Sequence, residues 1–151
     1  MPITRREWML ASICWSELLA EPTPLRVFTP AEAAEIVALA NAILPETDTP
    51  GATQADAVRF IDAALAGFDS DQLALYRRGL KDLGKFAALS PDQRIARLKT
   101  IEKTEFFDKL RTHTILAYFG NPQFGWKLLR RDPAMHFDPP FGFYDAEVRF
   151  K

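Results

Sequence analysis

One cysteine, two histidines and seven glycines are all that 151 residues hold of three residue types from which active centres are often built. The lone Cys14 excludes an intrachain disulfide, and it excludes a zinc or iron–sulfur site held by cysteines of this chain alone. No histidine lies near it in sequence, so its thiol lacks an adjacent base. His113 and His136 fall in no HExxH or HxxxH spacing, which leaves a metal site without a pattern to rest on. The dinucleotide fingerprint, the phosphate-binding P-loop and the nucleophile elbow are missing as well. With them goes any visible means of binding FAD or nucleotide phosphates. Charge of one sign is also lacking: 19 basic and 20 acidic side chains give a net charge of −1, so no global field draws in nucleic acid. No apolar run is long enough to span a bilayer.

What is present is a generous apolar content, 48% with 12 phenylalanines, in a chain long enough for one domain with a real core. The patterning is helical almost throughout. Thr29-Pro30-Ala31-Glu32 is a capping box with proline at the first helical position, and Ile36, Leu39, Ala40 and Ile43 supply the apolar face behind it. Thr53 and Asp56 are spaced as a second box, predicting a helix over about Gln54 to Ala66 that stops at Gly67. Asp69 or Ser70 is placed to cap a third, in which Leu73, Tyr76, Leu80, Leu83 and Ala87 recur, with Gly79 and Gly84 weakening it or admitting a close neighbour. Ser90-Pro91-Asp92-Gln93 repeats the capping pattern. Thr104 is placed to cap a last helix that carries Phe106, Leu110, His113 or Thr114, and Ala117, and ends at Gly120-Asn121-Pro122.

No sustained alternation of apolar and polar residues suggests a sheet, so the expected fold is all-α: a single irregular helical bundle with helices starting near Pro30, Gln54, Asp71, Pro91 and Glu105. Three stretches are distinguished. Residues 1–28 form a twin-arginine-like segment or an amphipathic helix, 29–120 the helical domain, and 121–151 an aromatic, proline-broken tail. In the first, Thr4-Arg5-Arg6-Glu7-Trp8-Met9 is similar to a twin-arginine export motif. Only Met9 to Trp15 follows as a semi-apolar run, and Leu19-Ala20-Glu21 offers no small-x-small cleavage site. In a folded helix Trp8, Ile13 or Trp15, and Leu18-Leu19 face a core or a partner.

Individual polar residues read mostly as structure. His113 lies on or beside an apolar stripe, as a hydrogen-bonded core histidine does. Asp62 reads as a helix-surface or capping group, and the Arg5-Arg6, Arg77-Arg78 and Arg130-Arg131 pairs as solvated surface or ion-pair partners. Glu46 and Asp48 are oxygen donors for a hard cation, but the ligand ladder of a calcium loop is absent. No catalytic, cofactor-binding or metal-binding residue is assigned.

The run Ile43-Leu44-Pro45-Glu46-Thr47-Asp48-Thr49-Pro50-Gly51-Ala52, followed by Phe60-Ile61-Asp62, joins two helical patterns through a rigid polar turn. With the later Tyr118 to Trp126 stretch it resembles the small subunit, subunit 3, of bacterial gluconate 2-dehydrogenase and related FAD sugar dehydrogenases. The resemblance covers most of Thr29 to Trp126; the glycine-rich insertion before the tryptophan is shortened, and the end from Asp138 has no clear counterpart. It implies a non-catalytic accessory subunit with no cofactor of its own. The implied partner is a large FAD-containing subunit of the glucose-methanol-choline type, with a cytochrome or other electron acceptor downstream. The implied location is periplasmic by a twin-arginine route, or cytoplasmic if the motif is degenerate. Trp8, Trp15, Phe124, Trp126, Phe137, Phe141, Phe143 and Tyr144 are the expected partner interface, since prolines keep the tail rings out of an ordinary core helix. The rival readings are an independent helical adaptor or regulator, and a free-standing enzyme using His113, His136 and a nearby acid.

Overall fold

The computed structural model describes residues 3–20 and 24–121. Six α-helices follow one another: α1 (Arg5–Ala20), α2 (Pro30–Ile43), α3 (Ala57–Ala66), α4 (Leu73–Leu83), α5 (Pro91–Ile101) and α6 (Glu105–Gly120). Short 3-10 turns at Ser70–Gln72 and Phe86–Ala88 interrupt the connections, and no strand occurs among the described residues. The all-α expectation therefore holds, with five helices after the N-terminal one.

Local chemistry explains where most of these helices start. Thr29 and Ser90 each accept from the amide three residues on, while Glu32 and Gln93 return a bond to the cap backbone, so both expected boxes form. Thr104 caps α6 through the amide of Phe107. α1 has a box of its own, in which the Thr4 amide donates to the Glu7 carboxylate at 2.7 Å and the Glu7 amide to Thr4 Oγ1 at 3.3 Å.

α3 departs from expectation. Both the amide and the hydroxyl of Thr53 donate to Asn41 Oδ1, at 3.1 and 2.8 Å, so Thr53 ties the connection back to α2 instead of capping a helix. Asp56 takes a left-handed conformation (φ 53°) without a side-chain cap bond, and regular helix begins only at Ala57. α4 likewise starts at Leu73 rather than Asp71, after the 3-10 turn.

The core is organised around α3 and α6, on both of which α1 and α2 pack. α3 buries Phe60, Ile61, Asp62, Ala63, Ala64 and Leu65 in succession, the pattern of a helix enclosed on nearly all sides. Its alanines let neighbours approach. α4 packs on α6 through Gly79, where a Cβ would lie 2.2 Å from the Phe106 ring. α5 has no buried residue. It is fastened by Arg94, which donates to the Ala87 carbonyl, and by Arg97, which donates to the carbonyls of Asp82 and Leu83 at 3.1 and 3.3 Å.

Candidate functional site

Three polar constructions stand out, two centred on side chains buried by helix packing and one on a turn. The first is a relay through the middle of the bundle. Tyr76 on α4 and His113 on α6 are fully buried, and their rings stack with centroids 5.7 Å apart. His113 Nε2 lies 2.7 Å from Asp69 Oδ2, and His113 Nδ1 lies 2.7 Å from the Tyr76 hydroxyl. Lys109, one turn before His113, meets the same Asp69 oxygen at 3.0 Å.

Protonation follows from these surroundings. The hydrogen bond from His113, helped by Lys109, lowers the Asp69 pKa from 3.8 to about 2 against the opposing effect of partial burial. Asp69 is therefore ionised and can only accept, so Nε2 of His113 carries the hydrogen and donates. Burial lowers the His113 pKa from 6.5 although the Asp69 carboxylate pulls the other way. Enclosure decides between the two, because the neutral ring satisfies both bonds without a buried charge. Nδ1 is then the acceptor of the Tyr76 hydroxyl, whose own pKa is raised well above the phenol range by burial and then by the Asp69 charge.

The order acid, imidazole, hydroxyl matches that of hydrolase triads, but the reactive end is sealed. The Tyr76 side chain is packed against Phe28 and Phe106, and no part of it is exposed. Asp69 is the end that reaches solvent, at a cleft of about 690 Å³ lined by Thr4, Glu7, Phe68, Glu105, Lys109 and others. An ionised carboxylate already held by Lys109 and His113 is all the relay presents there. Its chemistry is structural: it ties α4, α6 and the turn before α4 through a desolvated hydrogen-bond chain. His113 is thus the hydrogen-bonded core histidine that its place on the apolar stripe suggests. Asp69, read as a helix cap, is instead its partner.

The second construction centres on Asp62, which is only 2% exposed rather than on the helix surface. Its Oδ2 accepts the Arg26 amide at 2.6 Å, and its Oδ1 accepts those of Val27 and Phe28 at 3.0 and 2.9 Å. One carboxylate therefore organises the whole approach to α2. The third is the Ile43 to Ala52 turn. Ala52 donates to the Leu44 carbonyl at 3.0 Å, and the Gly51 amide donates to Gln54 Oε1 at 3.0 Å. A Cβ on Gly51 would stand 2.6 Å from the Glu46 amide nitrogen, so the turn closes only around glycine. Glu46 accepts from the Gln54 side-chain amide. No group of three or more metal-ligating side chains occurs among the described residues.

Both distinctive words of the sequence, the polar turn and Phe60-Ile61-Asp62, thus lock the two ends of the α2 segment against α3. A family model described as gluconate 2-dehydrogenase subunit 3 matches residues 30–134, beginning at the first residue of α2 and running past α6. The chain belongs to the gluconate 2-dehydrogenase subunit 3 family. No curated protein and no solved structure matches it. In this subunit 3 member the polar turn and Phe60-Ile61-Asp62 hold helices and connections together.

Of the expected interface residues, Trp8 is half-buried and packed against the core. Trp15 is 2% exposed, stacked on Phe60 and bonded to α6. Its ring is committed to this chain's own core, which is at odds with a partner-facing role. Phe124, Trp126, Phe137, Phe141, Phe143 and Tyr144, together with His136, lie outside the described residues.

Proposed function

We propose that this chain is a non-catalytic small subunit of a heteromeric FAD-dependent sugar or polyol dehydrogenase. Its partner is a large flavoprotein of the glucose-methanol-choline type that holds FAD and oxidises an alcohol carbon. Electrons leave that partner toward a cytochrome or another acceptor. The observation that carries this reading is the subunit 3 match over a helical body whose signature residues are spent on locking helices. It is supported by the buried relay, which ends on a phenol no substrate reaches.

In this reading the subunit acts by binding the folded flavoprotein, which stabilises that state by mass action. The tail rings Phe124, Trp126, Phe137, Phe141, Phe143 and Tyr144, together with Trp8, supply the contact surface. The pair is periplasmic and leaves the cytoplasm folded, through the twin-arginine-like segment.

Co-expression with a large FAD-binding subunit encoded beside it tests the reading. The two chains are expected to co-purify, and sugar- or polyol-dependent dye reduction is expected only when the large chain is present. Sugar oxidation by the isolated small chain supplied with FAD would overturn it. Stable association with a protein that carries no flavin would favour the adaptor reading instead.

A further inference from the structure

The segment that resembles an export signal is, in the folded chain, a core helix. Ala11, Cys14, Trp15 and Leu18 of α1 are all buried. The Trp15 indole stacks on Phe60 with centroids 5.7 Å apart, and its Nε1 donates to the Ala117 carbonyl at 3.1 Å. Gly120 closes against the same face, where an added Cβ would stand 3.4 Å from the Trp15 ring and 3.5 Å from Ala11. From α3, the Arg59 guanidinium donates to the Leu18 carbonyl at 3.3 Å. A few residues beyond α1 the chain is clamped again, by the three amides that Asp62 accepts.

The first turn is equally committed to helix. Thr4 and Glu7 cap it reciprocally, so Arg5 and Arg6 are the first two residues of an N-capped helix, with both side chains exposed. A leader that is cut away must leave behind a domain whose core closes without it. Here removal would uncover Phe60, strip the indole donor from Ala117 and open the surfaces of α3 and α6 on which α1 packs. Apolar surface newly exposed on that scale favours unfolding or association.

We infer that α1 is a permanent element of the working protein, retained in its folded core with Arg5 and Arg6 exposed at its start. Arg5, Arg6, Met9 and Ser12 remain part of the finished surface. None of this packing depends on the dehydrogenase assignment, so the measurements below need no partner and can fail without it.

The full chain, tagged at its C-terminus and produced in a bacterial host, is weighed intact by mass spectrometry. In parallel, a chain beginning at Pro24 is compared with it by thermal unfolding and by binding of an apolar dye. Every soluble, cooperatively melting species is expected to retain Arg5 to Ala20. The shorter chain is expected to lose its cooperative transition and to bind more dye. A synthetic peptide of residues 1–20, added during refolding, is expected to restore the transition, and the same peptide carrying Trp15→Glu is not. A soluble species that starts beyond Ala20, melts cooperatively and binds no more dye than the full chain overturns the inference. So does a peptide that restores nothing when the full chain refolds under the same conditions.

Discussion

The hydroxyl of Tyr76 donates to Nδ1 of His113 at 2.7 Å across a contact closed to solvent on every side. The two residues are 37 positions apart on α4 and α6, so the bond joins helices that only the tertiary fold brings together. Tyr76→Phe keeps the ring stack and removes the donor. A buried acceptor left unpaired costs about 1–3 kcal/mol. Chemical denaturation should show a lower midpoint with an unchanged slope, because the surface exposed on unfolding stays the same.

The same relay makes stability fall on acidification, in two stages. His113 has a folded pKa below 6.5, so the unfolded chain takes up its proton first and stability declines as pH drops below about 6.5. Asp69 has its pKa lowered from 3.8 to about 2, so its contribution is whole above about 4 and is lost as pH falls toward 2. Urea midpoints measured from pH 8 to pH 2 should decline through both windows. His113→Gln should flatten the upper one. A midpoint that rises as pH falls from 7 to 5 would contradict the neutral, buried imidazole.

Asp62 holds three amides with two oxygens, and its variants should rank accordingly. Asp62→Asn keeps one acceptor oxygen and gives up the charge. Asp62→Ala leaves all three amides unpaired beside the core. Hydrogen bonds to a charged group contribute about 1.5–3 kcal/mol, so the alanine variant should be the more destabilised by at least that amount relative to wild type. Hydrogen exchange at the amides of residues 26–28 reports the site directly. Unchanged protection there in Asp62→Ala would show that some other group holds the connection.

Replacing a mid-helix glycine by alanine ordinarily stabilises a helix by about 1 kcal/mol. At Gly79 the sign should reverse, since the new Cβ would meet Phe106 ring atoms at 2.2 to 2.5 Å. Overpacking typically costs about 1–3 kcal/mol, which exceeds the propensity gain. Phe106→Leu in the Gly79→Ala background should recover part of the loss. A double-mutant cycle with no coupling would place the strain elsewhere.

In the proposed complex, Trp126→Ala or Phe141→Ala should weaken association by about 1–4 kcal/mol if that ring is an interface hot spot. Titration calorimetry against the purified large subunit measures it. Paired alanine substitutions across the tail that leave both assembly and partner solubility unchanged would move the recognition surface to another face.

The boundaries of α2, α5 and α6 were legible in the chain because a cap is a local device: Thr29 with Glu32, Ser90 with Gln93 and Thr104 with Phe107 are each three residues apart. Gly67 and Gly120 mark stops for the same local reason, whereas Gly84, expected inside a helix running to Ala87, ends α4 at Leu83 with a positive φ of 74°. The subunit 3 family was legible too, because its words are contiguous. The relay was not, since 44 residues separate Asp69 from His113 and nothing in sequence says which acid a buried histidine will meet. Asp62 read only as a helix-surface or capping group, because the backbone amides it accepts carry no sequence signature. Thr53 was spaced for a cap, but folding offered its amide and hydroxyl the Asn41 side chain, and the start of α3 moved to Ala57. Trp15 carries the clearest division. Its apolar bulk on an amphipathic helix is written in the chain, whereas burial against Phe60 and Ala117 was decided by tertiary packing, which alone chooses whether an apolar face meets its own core or a partner's.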